Sequence, residues 1–168
     1  MTSPPVKKTL AVIAVVASLL IAVGTLAVRE VRKGKLSRQC GDGSGHRYIK
    51  LTMGECFGPC SVYALEFYSD GKLKWSGIRN VKKTGTMEDN LSPTLFSKAI
   101  TVLDRSGLAD DVDHLSGGVD SQMVSIEVQC GTYARKIRYS NESADTPERL
   151  QGLDARIINI LALNHLVH

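Results

Sequence analysis

The chain has 168 residues, with 21 basic and 17 acidic side chains and a formal net charge of +4. This length accommodates one domain together with a tail or an anchor. The charge is unevenly distributed, because residues 1–38 hold seven basic side chains and one acidic, and residues 39–168 carry a net charge of −2. The basic character therefore lies outside the domain, and we expect no binding to nucleic acid.

An uncharged run of 20 residues, 9–28, lies near the N-terminus. A helix of this length rises about 30 Å, the thickness of the hydrocarbon core of a bilayer. The run predicts a transmembrane helix or signal anchor that contacts the lipid bilayer. A cleaved signal peptide is the alternative, since Lys7 and Lys8 supply a basic start and residues 22–24 a cleavage site.

The composition divides the chain into four segments. We expect a short N-terminal tail over residues 1–8, the transmembrane helix or signal anchor over 9–28, a basic and then glycine-rich stalk over 29–47, and a globular domain over 48–168. Glycine-rich linkers are flexible. The GDGSG stretch of the stalk lacks the spacing and the Lys-Ser/Thr ending of a phosphate-binding loop.

The orientation of this single-pass protein is indicated by two rules that disagree. Two lysines precede the hydrophobic run and five basic residues follow it, so the positive-inside rule places the domain in the cytoplasm. An even set of cysteines downstream of such a run favours an oxidising compartment. We expect an extracytoplasmic domain, with the cytoplasmic orientation as the alternative. The four cysteines are Cys40, Cys56, Cys60 and Cys130.

The first half of the domain reads as strands. Ile49, Leu51 and Met53 alternate with polar residues, which is typical of a half-buried strand. Residues 62–78 form a predicted hairpin, because the Asp-Gly pair at 70–71 suits a tight turn. Residues 81–88 are more polar and predict an edge strand.

The second half begins with a helix after Ser92 and Pro93, with Gly107 ending it in the left-handed conformation. The acidic stretch 109–120, which contains His114, predicts a solvated loop rather than a calcium site or an acid-base pair. Residues 124–139 then predict a second hairpin. A last helix begins at Thr146-Pro147.

This order of elements indicates an α+β fold. We expect a twisted antiparallel sheet of about five to six strands, arranged in hairpins, with two helices packed on one face and a single N-terminal hydrophobic helix before it. Antiparallel hairpins have one apolar face, which two one-faced helices can cover.

The CFGPC stretch, residues 56–60, carries the main candidate for chemistry. A thiol oxidoreductase usually has cysteines one residue closer together, at the start of a helix that lowers the thiol pKa. A zinc site needs about four ligands. The favoured interpretation is a small structural disulfide between Cys56 and Cys60, worth about 2 kcal/mol. Free thiols, a metal site and redox catalysis are the alternatives.

A second pair of candidates is Cys40 and Cys130. Cys130 continues the apolar register of its strand, so its sulfur should face the core, where a cysteine can also be a small hydrophobic residue. A bond to Cys40 would fix the stalk to the sheet. The sequence permits all three pairings of the four cysteines.

The stretch CFGPCSVYALEFYSDGKLKWSG resembles the bacterial domain-of-unknown-function family 6438 (DUF6438), whose members share a CFGxCPxY motif before a strand, an acidic-glycine turn and a second strand. Ser61 stands where the family has proline. The resemblance extends more loosely over about 120 residues. It implies a bacterial envelope protein with one compact domain and supplies no activity. The matching residues are Cys56, Phe57, Gly58, Cys60, Tyr63, Asp70, Gly71 and Gly77.

The sequence predicts no catalytic residues, no metal ligands and no cofactor-binding residues. We therefore expect a non-catalytic binding or structural domain in the bacterial envelope, with an unknown envelope protein or ligand as its partner. A thiol redox protein or sensor that uses Cys56 and Cys60 is the alternative.

Overall fold

The fold was obtained as a computed structural model, which describes residues 34–41, 45–115 and 120–168. The strands follow the spatial order β4-β3-β2-β1-β5-β6, and all neighbours are antiparallel. The predicted α+β fold with an antiparallel sheet is confirmed. In chain order, the elements of these residues are α1 (Lys35–Gly41), β1 (Arg47–Met53), β2 (Val62–Tyr68), β3 (Lys72–Arg79), β4 (Gly85–Asn90), α2 (Thr94–Arg105), β5 (Met123–Cys130), β6 (Tyr133–Ser140), α3 (Leu153–Ile160) and α4 (Asn164–Val167).

The core lies between one face of the sheet and the helices. Alternate residues of β1 and β5 are buried, as the sequence predicted. Phe96 of α2 lies over Phe67 of β2, with 6.2 Å between the ring centroids. Each such side chain stabilises the fold by about 1.5–3 kcal/mol through burial. The other large side chains in this core are Leu36, Ile49, Leu51, Leu65, Leu73, Trp75, Leu103, Leu108, Ile126, Ile137 and Tyr139.

The first hairpin, β2 and β3, depends on the Asp-Gly turn. Asp70 Oδ1 accepts a hydrogen bond from Lys72 N at 3.0 Å, and Gly71 has a φ of +98°. A Cβ atom at Gly71 would lie 2.3 Å from the carbonyl oxygen of Leu91. Glycine is therefore required there by both conformation and space.

The opposite face of the sheet is polar and carries a row of alternating charges, one from each strand. Lys50 and Glu66 form an ion pair of 2.9 Å within this row. Opposite charges on neighbouring strands stabilise a sheet by about 0.2–1 kcal/mol per pair and help to fix its register. Across the sheet, the row runs Lys136, Glu127, Lys50, Glu66, Lys74 and Glu88.

The segment assigned to a flexible stalk contains the helix α1. Leu36 of this helix is fully buried. The backbone N–H groups of Leu36 and Ser37 both donate to the Asp104 carboxylate at 2.8 Å. The compact unit begins at Gly34 rather than at residue 48. The Asp104 carboxylate of α2 accepts from the unpaired N–H groups at the start of α1. This contact explains why residues 35–41 form a helix of the domain rather than part of a flexible stalk.

Two further element boundaries differ from the prediction. The edge strand β4 begins at Gly85, because residues 81–83 fold over β3 and Lys83 O accepts a hydrogen bond from the Trp75 indole at 2.8 Å. The last long helix begins at Leu153, after Gly152 with a φ of +64°. Thr146 does not begin it, because its hydroxyl donates to Ser140 O at 2.7 Å in a turn.

The predicted hydrophobic helix, residues 9–28, lies outside the described residues. So do the N-terminal tail and the first part of the stalk. Among the helices of the described residues, none has the length and apolar character needed to cross a membrane.

Candidate functional site

The CFGPC loop connects β1 to β2 at one end of the sheet. Cys56 and Cys60 are bonded to each other, with 6.1 Å between their Cα atoms. Gly58 N donates to Cys56 Sγ at 3.1 Å. The bond closes a ring of five residues, so the backbone of the loop has few alternatives to the observed course.

The end of β3 holds this loop in place. Asn80 Nδ2 donates to Cys60 O at 3.0 Å, and Asn80 O accepts from Ser61 Oγ at 2.8 Å. Arg79 Nη2 lies 3.4 Å from Cys56 O. These contacts join the bonded loop to a core strand, so its orientation relative to the sheet is fixed.

Gln122 holds the loop from the other side. This residue precedes β5, and its Nε2 donates to Gly54 O at 2.9 Å and to Ser61 O at 2.7 Å. The two carbonyls flank the disulfide ring. Sequence reasoning missed Asn80 and Gln122 because both supports depend on pairings of distant strands.

Phe57 projects from the loop into solvent. Its exposed fraction is 82%, the largest among the exposed large hydrophobic residues that the structure describes. Ile78, one residue before Arg79, is 61% exposed. A shallow depression of about 420 Å³ lies beside Phe57 and is lined also by Glu55 and Arg79. The loop thus presents an aromatic side chain with charged groups at its rim.

The geometry argues against an activated thiol at Cys56. The loop leads into β2, and no helix of the described residues begins at either cysteine of the pair. A helix N-terminus next to the sulfur is one of the features that lower a thiol pKa and create a nucleophile. In addition, the described residues contain no group of three or more His, Cys, Asp or Glu side chains placed to hold a metal ion.

The second disulfide lies at the opposite end of the sheet. Cys40 of α1 is bonded to Cys130 at the end of β5, with 5.1 Å between their Cα atoms. Both residues are buried, at 5% and 4% exposed. The sequence permitted three pairings of the four cysteines. In the structure, Cys56 is bonded to Cys60 within the CFGPC loop, and the Cys40–Cys130 bond fixes α1 to the sheet.

The other residues that carry the family resemblance have roles in the fold. Tyr63 stacks on Trp75 with 4.9 Å between ring centroids. At Gly77, a Cβ atom would lie 2.0 Å from Lys83 O. Asp70 and Gly71 form the hairpin turn described above. Phe57 differs, because its exposed side chain does not belong to the core.

The prediction of a solvated loop is confirmed for Asp110, Asp113 and Asp120, which are exposed, and is wrong for Asp111. Asp111 is 6% exposed. It accepts from His114 Nε2 at 2.8 Å and from Arg149 Nη2 at 2.6 Å. Burial alone would raise the pKa of Asp111, but the hydrogen bonds from His114 and from Val112 N, with the charge of Arg149, lower it overall. Arg149 precedes α3, and the His114 backbone N–H donates to Arg138 O of β6 at 2.8 Å, so the segment is fixed to both. This is a structural role.

Comparison with known proteins gives the chain a family. No curated protein matches it. Residues 47–161 match the family described as Domain of unknown function (DUF6438), and this range begins with β1 and ends just after α3. It contains the CFGPC loop and both hairpins, and it covers more than half of the chain. The chain therefore belongs to the DUF6438 family.

Proposed function

We propose that this protein is a single-pass, membrane-anchored binding module of the bacterial envelope, with an extracytoplasmic, non-catalytic domain. The observation that carries the proposal is the exposure of Phe57 on a disulfide-bonded loop. Phenylalanine is among the aromatic residues that are enriched at the cores of protein interfaces. A pre-ordered loop also loses little conformational entropy on binding.

The positions of the two disulfides support this arrangement. Cys40 fixes the N-terminal end of the domain to the end of β5, whereas Cys56 and Cys60 lie after the end of β1. β1 has seven residues and spans about 20 Å. The domain therefore begins with α1, whose Cys40 is bonded at the end of the sheet opposite the CFGPC loop. All four cysteines are bonded, which favours the extracytoplasmic side.

The partner expected from this chemistry is an envelope protein with an apolar recess for one aromatic ring. Glu55 and Arg79 at the rim give the surface both signs of charge. Such rims add orientation more than affinity, while the buried ring supplies most of the binding free energy.

The test is capture of partners from membranes of the host, using the full-length protein, a Phe57→Ala variant and a Val112→Ala variant. Val112 is the matched control because it is 65% exposed and lies outside the loop. We expect Phe57→Ala to lose at least about tenfold of a captured protein, a loss typical of interface anchors. Equal recovery with all three proteins would overturn the proposal.

The alternative is a thiol redox protein, favoured by one observation: Cys56 and Cys60 are partly exposed, whereas Cys40 and Cys130 are buried. The two functions differ in reduction potential. Structural disulfides in secreted proteins have potentials below about −300 mV, and catalytic ones lie higher. A potential of the Cys56–Cys60 pair above about −230 mV, within the range of glutaredoxins and stronger oxidants, would favour the redox function.

A further inference from the structure

A second, smaller cavity lies at the same end of the sheet as the CFGPC loop, where β1 and β2 meet α3 and α4. Its volume is about 260 Å³. One part of its wall is apolar and the other is polar. The apolar part includes Met53, Ile158 and Val167, and the polar part includes Tyr63, Gln122 and Asp154.

Asp154 is a buried carboxylate without a cationic partner. It is 8% exposed. Within the described part of the chain, it accepts one side-chain hydrogen bond, from Asn141 Nδ2 at 2.9 Å, and it takes part in no ion pair. A buried charge is costly unless it is paired. His168 lines the same cavity, but among the described residues no cationic side chain is paired with Asp154.

The hydrogen bond from Asn141 leaves one carboxylate oxygen of Asp154 available. Asp154 stands in the first turn of α3, where the helix N-terminus favours negative charge. Asn141 is fixed as the donor to Asp154, because its own carbonyl accepts from Gly152 N at 3.0 Å. Glu142, which is exposed at the cavity rim, adds a second negative charge.

Two neutral oxygen atoms also belong to the polar wall, whose other members include Ser61, Asn164 and His168. Gln122 uses its amide nitrogen for Gly54 and Ser61, so its carbonyl oxygen remains an acceptor. Tyr63 is 3% exposed, and its hydroxyl makes no hydrogen bond to any of the described residues. Burial, and then the charge of Asp154, raises the pKa of Tyr63, so its hydroxyl stays neutral and can accept.

We propose that this cavity binds a primary ammonium group on a short aliphatic stem. An ammonium has three N–H donors, which match the oxygens of Asp154, Tyr63 and Gln122, while the stem lies on the apolar wall. A guanidinium suits the cavity less well, because it prefers both oxygens of a carboxylate and Asn141 already occupies one. The volume is below the usual range for drug-sized ligands, so the ligand is compact.

The test uses the full-length protein in detergent, with pentylamine and pentan-1-ol as probes of equal length. We expect pentylamine to bind at least about tenfold more tightly by isothermal titration, since one 1.4 kcal/mol interaction gives that factor. Asp154→Asn should remove the difference between the probes. Equal binding of the two probes, or an unchanged preference in Asp154→Asn, would overturn the proposal.

Two further variants keep the test decisive if Asp154→Asn does not fold. Tyr63→Phe should weaken pentylamine binding but leave pentan-1-ol binding unchanged. Glu142→Gln removes a rim charge of the same sign and should change pentylamine binding by less than about threefold, because exposed charges are screened. An equal loss in Glu142→Gln and Tyr63→Phe would contradict a specific ammonium site.

The ammonium could belong to a free amine or to a lysine side chain of a protein. N-acetyl-lysine N-methylamide distinguishes these sources. Binding equal to that of pentylamine supports a lysine side chain, and binding of pentylamine alone supports a free amine. Because none of these measurements involves Phe57, the outcome is separate from that of partner capture.

Discussion

The two disulfides of this domain differ in burial, span and surroundings. Cys40–Cys130 is buried and joins residues 90 positions apart, whereas Cys56–Cys60 is partly exposed and joins residues four positions apart. The first connects a helix to the sheet, and the second shapes a surface loop. We therefore expect the buried bond to contribute more to the stability of the domain, and the exposed bond to shape the surface that the proposed binding would use.

The largest effect is expected from removal of the buried bond. In the loop-entropy model, a bond across about 90 residues contributes about 4.5 kcal/mol, so Cys40→Ala with Cys130→Ala should lower the free energy of unfolding by about that amount. Urea unfolding of the parent and the variant measures the difference. A loss below about 1 kcal/mol would show that α1 stays in place without the bond.

A smaller loss is expected at the CFGPC loop. Cys56→Ala with Cys60→Ala opens a ring of five residues, which corresponds to about 2 kcal/mol in the same model. The Cys40–Cys130 bond should remain closed, as peptide mapping under non-reducing conditions can show. If the two double variants lost equal stability, the expectation that the buried disulfide contributes more than the exposed one would be wrong.

The attachment of α1 can also be weakened without touching a sulfur. Asp104→Ala removes the acceptor for Leu36 N and Ser37 N and should cost about 1–2 kcal/mol, the range for loss of a helix cap. Lys35→Ala is the control, since its ion pair with Asp110 is exposed and should contribute little to stability. Thermal melting of both variants compares them.

Acid should destabilise the domain through carboxylates that take part in neither disulfide loop. Burial would raise the pKa of Asp113, but hydrogen bonds from the Arg138 side chain and backbone and the charge of Arg138 lower it overall. Its stabilising contribution is complete above the unfolded pKa of about 4 and is lost as the pH falls through the lower folded value. Asp113→Asn should therefore flatten the decline of stability below about pH 4, measured by urea unfolding at several pH values.

The sequence predicted the strands of the sheet better than it predicted the contacts that hold α1 against the domain. Alternation of Ile49, Leu51 and Met53 depends only on the two-residue period of a strand, and the Asp-Gly turn is equally local. The helix α1 was missed because its N–H groups are satisfied by Asp104, 67 and 68 residues away. A local pattern cannot reveal such a partner.

The candidate site was predicted in part. The spacing of Cys56 and Cys60 and the strand after them indicated a small disulfide loop, and the structure contains it. The exposure of Phe57 could not be predicted, because a single aromatic residue in a loop is compatible with either burial or display. Likewise, the buried position of Asp111 depends on Arg149, which lies 38 residues later.

Stepwise reduction of the full-length protein tests most directly whether the two disulfides have different roles. The sulfurs that open first can be alkylated and identified by mass spectrometry, while near-ultraviolet circular dichroism reports the fold. We predict that a mild reductant opens Cys56–Cys60 first and leaves the domain folded with Cys40–Cys130 closed, because access controls thiol exchange. Unfolding on opening of Cys56–Cys60, or opening of Cys40–Cys130 at the same rate, would contradict this account.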